Sequence, residues 1–352
     1  MKRKKVVSFL TVVLFWGVIL SMTLYVGLGV MLDIRVPEEG GFRFNQIFYS
    51  DDAIDYFVRY WDYKIFRHIE DENVIVGKED WLFEHTNAEN GYEYLLDYVG
   101  GCSFSEQELD AVVQLLRARE AECRAQGAEY LLVVIPNSMT VCAEYLPEYL
   151  GNRSDGARLA QLQRYASEQG LSCLLDPTAF MIADSGREAY NNTEDSLNAY
   201  GAYLVYRSIM DELIRRGVAG EQSLISSDRV EFTVRYTEGK EIARRVGLPH
   251  VIRNRTVSLT ERMTEGYRVI DSGEFCTSTS RKDGQGDIGP RIVMELSEEW
   301  DKIQLMPFFS NSFDTMVYEN CVNANADTLS IHNGTVFIQV IHERELSSLC
   351  AQ

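Results

Sequence analysis

The sequence predicts an α/β fold with a mostly parallel sheet, preceded by one membrane-spanning helix. Strand-like and helix-like segments alternate beyond residue 70, which is the pattern of an α/β domain. The strand-like segments at 130–135 and 171–175 are apolar along most of their length, as expected for parallel strands that are buried on both faces. A third observation is the uncharged apolar run at 6–32, which predicts the membrane helix.

The N-terminal run also predicts an orientation in the membrane. Residues 6–32 are long enough, at about 1.5 Å per residue, to cross a hydrocarbon core. Basic residues at 2–5 precede the run and acidic residues follow it, so the positive-inside rule keeps the N-terminus in the cytoplasm. We therefore expect a cytoplasmic tail at 1–5, a transmembrane helix at 6–32, a juxtamembrane lead-in at 33–70 and an extracytoplasmic domain at 71–352. A cleaved signal peptide is the alternative, but no Ala-x-Ala site follows the run.

Composition and charge exclude two classes of protein. With 45% hydrophobic residues and only seven prolines among 352 residues, the chain can bury a large core, which excludes a disordered protein. The formal net charge is −19 and no basic stripe occurs beyond residue 5. This excludes a nucleic-acid partner, because phosphate binding needs clustered Lys and Arg.

The cysteines do not form a recognisable site. All seven are spread singly, without a Cys-x-x-Cys pair or a His at ligand spacing, so we expect neither a metal nor a cofactor. Cys123 and Cys173 fall on apolar positions and are predicted to lie in the core. A disulfide among the other cysteines stays open, because an extracytoplasmic location permits one.

Local signals predict the remaining elements in chain order. Residues 73–83 have the form of a β-hairpin. A capping box at Ser105 and Glu108 begins a helix that Gly127 ends. Helices are also predicted at 155–169 and 198–216, and further strands at 230–236, 291–296, 303–309 and 335–341. The Ser-, Thr- and Gly-rich stretch at 277–289 indicates a surface loop.

A series of short segments, taken in order, resembles one protein family. The segments are NVIVGKEDWLFE at 73–84, VVIPNSMTVCAEYLP at 133–147, LLDPTAFM at 174–181, NTEDSLNAYGAYLVYRSIMDEL at 192–213, GKEIARRVGLP at 239–249, FFSNSFDTM at 308–316 and VIHEREL at 340–346. The first is close to the family element GK-x-GWLF, the fourth to TDTHWNxxGAYxAYxxL and the sixth to GDSF. This order resembles the SGNH-hydrolase-like family of alginate O-acetylation proteins, AlgX and AlgJ, with their DltD-like and DHHW relatives.

The resemblance implies a three-layer α/β/α sandwich and serine-based acyl transfer. In such proteins an Asp and a His activate the Ser of GDSF, which carries an acyl group between a membrane donor and a polysaccharide hydroxyl. Matched residue by residue, Ser312 takes the nucleophile position and Asn311 replaces the Asp before it. Glu194 takes the position of the triad acid, and Ser196 replaces the His. The match implies that these four residues come together at the edge of the sheet where the parallel strands have their carboxyl ends. Because the base is lost while the scaffold positions are kept, we expect a catalytically degenerate member.

An active O-acetyltransferase or esterase stays open as an alternative. It would need a relocated base for Ser312, and the histidines considered for that role are His85, His332 and His342. A metal held by Glu194 and Asp195 is a weaker alternative, because adjacent carboxylates at a helix N-terminus are more often dipole partners and caps.

The third alternative is a carbohydrate-binding or scaffold protein for a membrane acyltransferase. The residues expected to contact sugar hydroxyls are Tyr190, Asn192, Asn198 and Asn311. The resemblance therefore implies a role in the O-acetylation or handling of a cell-surface polysaccharide. The implied partners are that polysaccharide and a multi-pass membrane acyltransferase. The implied location is the cell membrane, with a single span and the main domain outside.

Overall fold

The structure is a computed structural model that describes residues 14–21, 23–24, 51–86, 91–184, 188–260, 265–272, 276–282, 291–320 and 335–351. The chain divides into two units, Met1–Glu70 and Asp71–Gln352. In the first unit, helix α1 (Asp51–Trp61) continues into a short π-helix at Asp62–Phe66. The predicted membrane helix at 6–32 lies for the most part outside the described residues. Among the helices that are described, none is both long and apolar enough to cross a membrane.

The second unit contains eleven described strands and eight described helices. The strands are β1 (Val74–Val76), β2 (Leu82–Glu84), β3 (Glu129–Ile135), β4 (Leu174–Leu175), β5 (Phe232–Thr237), β6 (Asn254–Leu259), β7 (Tyr267–Ser272), β8 (Cys276–Arg281), β9 (Arg291–Leu296), β10 (Thr315–Asn320) and β11 (Thr335–His342). The helices are α2 (Tyr94–Tyr98), α3 (Glu106–Ala125), α4 (Ser138–Val141), α5 (Arg158–Glu168), α6 (Thr178–Ala183), α7 (Ala199–Arg215), α8 (Glu241–Arg245) and α9 (Glu299–Ser312). A 3₁₀ segment, Glu343–Ala351, follows β11.

The main sheet has seven strands in the order β4-β3-β11-β9-β10-β8-β7. Neighbouring strands are parallel from β4 to β10, and β8 and β7 extend the sheet as an antiparallel edge. The predicted α/β fold is therefore confirmed, with a mixed sheet. Strand β3, which was predicted from its unbroken apolar run, has parallel partners on both sides, β11 and β4.

The sheet separates two apolar cores. Alternate residues of a strand point to opposite faces, and in β3 Leu131, Val133 and Ile135 enter one core while Tyr130, Leu132 and Val134 enter the other. Helices α7 and α9 contribute to the first core, and α3 and α5 contribute to the second. Helices thus cover both faces, which gives the three layers expected from the resemblance.

Two helix starts form as the sequence predicts. At α3, the Ser105 hydroxyl accepts the Glu108 N–H at 3.3 Å, and the Glu108 carboxylate accepts the Ser105 N–H at 2.8 Å. At α7, the side-chain oxygen of Asn198 accepts the N–H groups of Tyr200 and Gly201 at 2.9 and 3.0 Å. Each cap satisfies donors that have no partner within the helix.

Several predicted elements differ in the structure. Residues 303–309, predicted as a strand, belong to α9, because an apolar run of this length also suits a buried helix. The predicted loop at 277–289 contains most of β8, since Thr favours strands when one face is covered, and residues 283–289 lie outside the described part. The strand predicted at 230–236 is observed as β5, which pairs with β6 in a separate two-stranded antiparallel sheet. Strand β10 was not predicted.

The described cysteines are all free thiols. Cys123 and Cys173 are 3% and 0% exposed, as predicted for core residues. Burial raises the pKa of the Cys123 thiol to about 11 and that of Cys173 to about 12, so both stay protonated and inert. Cys321 lies outside the described residues.

Candidate functional site

The carboxyl ends of three neighbouring parallel strands, β3, β11 and β9, meet at one edge of the sheet. In α/β sheets this edge is where ligands bind. The residues that end or follow these strands there are Asn137, Ser138, Ser297, Glu298, His342, Glu343 and Arg344. We refer to this region as the carboxyl edge.

Arg344 joins several segments at the carboxyl edge. Its side chain is 9% exposed and pairs with Asp195 at 3.2 Å and with Glu298. Asp195 also accepts the N–H of Ser138 at 3.1 Å. These contacts fasten the segment before α7 to the ends of β3 and β11 and to the start of α9.

His342 is held by carboxylates. Its Nε2 lies 2.6 Å from the Asp301 carboxylate and 3.5 Å from that of Glu298. Both His342 and Asp301 are 1% exposed. Burial lowers the pKa of His342, but the Asp301 carboxylate outweighs burial and raises the pKa to about 9. With this pKa the ring is protonated at neutral pH, and its Nε2–H donates a hydrogen bond to Asp301. Nε2 therefore does not act as a base.

Glu343 is a second buried carboxyl group at the carboxyl edge. It accepts the Asn137 N–H at 2.8 Å and the Thr140 hydroxyl at 3.2 Å, and it pairs with Arg153 at 2.5 Å. Burial raises its pKa to about 7, although the Arg153 charge opposes the shift. The group fixes the turn after β3 against the end of β11.

Ser297 lies at the turn from β9 into α9. Its hydroxyl donates to Oε2 of Glu345 at 2.5 Å. This carboxylate oxygen also accepts the backbone N–H of His342 at 2.8 Å. Ser297 is partly exposed. It is therefore a serine hydroxyl at the carboxyl edge that no part of the sequence analysis singled out.

Glu194 and Ser196, the expected triad acid and the replaced base, lie close together before α7. The side-chain amide of Asn191 donates to Glu194 at 2.8 Å and to Ser196 at 3.1 Å. Burial raises the pKa of Glu194, and the Lys240 charge opposes that shift. The two residues thus form one small polar group that is bridged by an amide.

Ser312 and Asn311 lie at the opposite edge of the sheet. Helix α9 leaves the carboxyl end of β9 and returns to the amino end of the parallel strand β10, and Ser312 is its last residue. A helix of 14 residues spans about 21 Å. The expected convergence of Ser312 and Asn311 with Glu194 and Ser196 is therefore not observed, because the residue pairs lie at the two ends of the sheet.

The Ser312 hydroxyl is used inside the core. It donates to the Phe308 carbonyl at 3.1 Å, and its oxygen lies 2.7 Å from the Tyr206 hydroxyl. Tyr206 in turn accepts the Ile225 N–H at 2.8 Å. Burial raises the pKa of Tyr206 to about 12, although the Ser312 hydrogen bond opposes the shift, so the phenol keeps its proton. Ser312 is 1% exposed and Tyr206 0% exposed.

Tyr190, Asn192 and Asn198, the expected sugar-binding residues, line one cavity of about 310 Å³. The cavity lies between the β1–β2 turn, the segment before α7 and the two-stranded β5–β6 sheet. The polar groups of the three residues are already used. Tyr190 donates to the Pro136 carbonyl, and Asn198 caps α7.

Asn192 is a brace for the cavity wall. Its amide donates to the carbonyls of Asp80 and Arg253 at 3.1 and 3.0 Å, and its oxygen accepts the Arg255 N–H at 2.7 Å. The three predicted residues therefore build the wall. The side chains of Tyr236 and Arg253 also line the cavity and are exposed.

A family model described as "SGNH hydrolase-like domain, acetyltransferase AlgX" matches residues 74–253. The matched part runs from β1 to the turn before β6 and includes the segment with Glu194, Asp195 and Ser196. The chain belongs to the AlgX family. The resemblance stated from the sequence is confirmed. None of the curated protein sequences compared with the chain matches it significantly.

Solved structures are similar to this chain over more residues than the family model matches. The structure of Bacillus cereus PatB1 with a sulfonyl adduct is 11% identical, with a TM-score of 0.55, and the match covers 80% of this chain and 98% of PatB1. A DHHW family protein from Eubacterium siraeum is 11% identical, with a TM-score of 0.51, and the match covers 77% and 91% of the two chains. The O-acetyltransferase domain of Pseudomonas putida AlgJ is 14% identical, with a TM-score of 0.46, and the match covers 78% and 92%. At these identities the first two matches show a shared fold and no more.

The histidines considered as a relocated base have other surroundings. His342 faces Asp301 and Glu298. His85 has its Nδ1 3.1 Å from the Glu72 carbonyl. His332 lies outside the described residues. In the part of this AlgX-family chain that the structure describes, neither Ser312 nor Ser196 has a histidine as hydrogen-bond partner.

Most residues of the carboxyl edge were not predicted from the sequence. Glu298, Asp301 and Arg344 were not singled out, and Asp195 was considered only as a metal ligand. One local signal was available, because the two acids at 298–299 and the acid at 301 are typical of a first helical turn, which would have placed a helix start here. The pairing of Asp195 with Arg344 joins residues 149 positions apart, for which no local signal exists.

Proposed function

We propose that this AlgX-family protein is a membrane-anchored, extracytoplasmic polysaccharide-binding protein. It takes part in the O-acetylation of a cell-surface polysaccharide without transferring the acyl group itself. The family supports the link to acetylation, since its model describes an acetyltransferase. The basic N-terminal tail and the apolar run at 6–32 support the anchor and the outside location.

The observation that carries the non-catalytic part is the position of His342. A serine nucleophile needs a base within about 3 Å of its hydroxyl and a carboxylate that orients the base. Nε2 of His342 has the carboxylates of Asp301 and Glu298 as partners, but among the described residues the ring has no hydrogen bond to a serine hydroxyl. Ser312 lies at the other edge of the sheet with its hydroxyl bonded to Tyr206. Ser312 and His342 are therefore both present in the expected fold, but they are not hydrogen-bonded to each other.

The cavity beside the segment before α7 supports the binding part. Tyr236, 65% exposed, offers an aromatic face to a sugar ring. Arg253 donates to the carbonyls of Tyr236 and Thr237, and its remaining guanidinium N–H groups can donate to hydroxyl or carboxylate oxygens. Trp81, which also lines the cavity, stacks on Tyr145 with ring centroids 4.6 Å apart, and this contact stiffens the cavity wall. A rigid wall lowers the entropy that is lost on binding.

The test is binding of polysaccharide extracted from the surface of the source cells. The full-length chain, purified in detergent, is immobilised, and its affinity is measured by biolayer interferometry. Tyr236→Ala and Arg253→Gln should each weaken binding about tenfold, the loss of one good contact. Tyr149→Ala and Arg235→Gln are matched controls, since both residues are exposed and neither lines the cavity. Equal losses in the variants and the controls would contradict the cavity as the binding site.

A second candidate function is ester hydrolysis or acyl transfer at Ser297. The observation that favours it is the position of this hydroxyl at a strand-to-helix turn of the carboxyl edge, bonded to Glu345. The two functions differ in one result, because only an enzyme of this kind loses turnover on Ser297→Ala.

A further inference from the structure

The carboxyl edge contains three side chains whose ligand atoms converge. Nε2 of His342 and one carboxylate oxygen each of Glu298 and Asp301 lie within 4.8 Å of one another. Glu298 is the N-cap residue of α9, Asp301 lies in the first turn of that helix, and His342 ends β11. The backbone therefore fixes all three positions, since a strand end and a helix start are rigid elements.

One oxygen of this cluster has no partner. Asp301 uses Oδ2 on His342, while its buried Oδ1 has no hydrogen-bond partner among the described residues. A buried carboxylate oxygen without a donor costs free energy, which a native structure normally avoids. Glu298 leaves an oxygen for the cluster as well, because Arg344 pairs with Oε1 while Oε2 faces His342.

Acidic side chains are concentrated around the cluster. Four carboxylates meet within this network, those of Asp195, Glu298, Asp301 and Glu345. Arg344 pairs with Asp195 and Glu298, and His342 pairs with Glu298 and Asp301. A divalent ion bound by Glu298, Asp301 and His342 would add positive charge to this network. Buried charges are tolerated when they are paired or bind a metal.

We infer that Glu298, Asp301 and His342 form a binding site for a divalent transition-metal ion such as Zn²⁺, Mn²⁺ or Co²⁺. One imidazole and two carboxylates suit these ions better than Ca²⁺ or Mg²⁺, which take oxygen ligands. With ligand distances near 2.0–2.2 Å, tetrahedral ligand atoms are about 3.4 Å apart. The His342–Glu298 separation of 3.5 Å already fits this, and the His342–Asp301 separation of 2.6 Å widens when the ion replaces the shared proton.

The ion would act as a structural link. It would hold the end of β11 to the start of α9 through three bonds, beside the Arg344 pairs that fasten the same segments. Glu298 is 32% exposed at its side chain, so an ion can reach the site from that side. This inference does not depend on polysaccharide binding, and it holds for an enzyme as well as for a binding protein.

The test is titration of the full-length chain with Co²⁺, followed by visible absorption. The chain is purified in detergent and first stripped of metal with a chelator. High-spin Co²⁺ reports its ligands through its spectrum, because thiolate ligands add an intense near-ultraviolet band that imidazole and carboxylate ligands do not. We expect one Co²⁺ per chain, a dissociation constant below about 10 µM and no thiolate band. The absence of saturable binding, or a thiolate band, would overturn the inference.

Variants locate the ion. Glu298→Gln and His342→Gln should each weaken Co²⁺ binding at least tenfold. The matched control is His250→Gln, whose side chain is 67% exposed and paired with Glu238. A control that loses as much affinity as His342→Gln would place the ion elsewhere and overturn the site. Circular dichroism checks that each variant is folded. If His342→Gln does not fold, the Co²⁺ affinity of Glu298→Gln, changed at a partly exposed position, decides whether the ion binds at this site.

Discussion

Replacing Ser312 by Ala is expected to weaken the fold rather than to stop a reaction. The hydroxyl takes part in a chain of three buried hydrogen bonds that runs from the Ile225 N–H through Tyr206 and Ser312 to the Phe308 carbonyl, with lengths of 2.8, 2.7 and 3.1 Å. Ser312→Ala removes the nearer acceptor for the Tyr206 hydroxyl and leaves it the Ser223 carbonyl at 3.4 Å, which should cost about 1 kcal/mol. Tyr206→Phe leaves the buried Ile225 N–H without a partner and should cost about 1–3 kcal/mol.

A double-mutant cycle measures the contact between these two hydroxyls. The assay is urea unfolding of the full-length chain in detergent, followed by tryptophan fluorescence, with both single variants and the double variant. The interaction free energy should be about 1 kcal/mol, because the two groups touch and share one hydrogen bond. Ser167→Ala, at an exposed position of α5, is the control and should change the midpoint little. A Ser312→Ala chain that unfolds at the wild-type urea concentration would refute the structural role.

Two further predictions concern the first turn of α7 and the end of β4. Gly201→Ala should destabilise the chain by about 1–3 kcal/mol, because an added Cβ would lie 2.0 Å from the Ala189 carbonyl oxygen; an unchanged unfolding midpoint would contradict this packing. Burial raises the pKa of Asp176, although hydrogen bonds from Thr178 oppose the shift. A carboxyl group whose folded pKa is raised contributes stability below its unfolded pKa of about 4 and loses it as the pH rises through the folded value. Asp176→Asn should therefore reduce the loss of stability between pH 4 and pH 7, measured by urea unfolding, whereas the exposed Asp155→Asn should not.

Local patterns in the sequence predict the central elements of the fold because those elements satisfy local rules. The run at 130–135 has no polar residue after its first position, and such a segment is stable only where both faces are covered. The capping box at Ser105 and Glu108 forms between residues three positions apart, so it depends little on the rest of the chain. The same holds for the Asn198 cap of α7.

The misplacement of Ser312 has one physical cause. Residues 303–309 are mostly apolar and include Pro307, so their pattern does not distinguish a buried strand from a buried helix. If this segment were a strand, Ser312 would follow its carboxyl end and lie in the site. As part of α9, the segment carries Ser312 to the other edge of the sheet. The acids at the start of α9 are the signal that would have favoured the helix.

The cluster at the carboxyl edge could not be predicted from local patterns. Its parts are separated along the chain, since Glu298 and Asp301 begin α9 and His342 ends β11. These residues meet only because β9 and β11 are neighbours in the sheet. Sequence reasoning did indicate the wall of the cavity, through Tyr190, Asn192 and Asn198, but not that their polar groups are used within the protein.

The central claim, that this AlgX-family chain does not catalyse acyl transfer, is tested most directly by turnover of an activated acetyl ester. The full-length chain in detergent is compared with Ser297→Ala and with Ser312→Ala at equal concentration, after circular dichroism has shown that all three are folded. We predict that the three chains hydrolyse the ester at the same rate. Loss of a serine nucleophile reduces turnover by a factor on the order of 10⁶. A large fall in rate on Ser297→Ala or on Ser312→Ala would contradict the account and identify the chain as an enzyme.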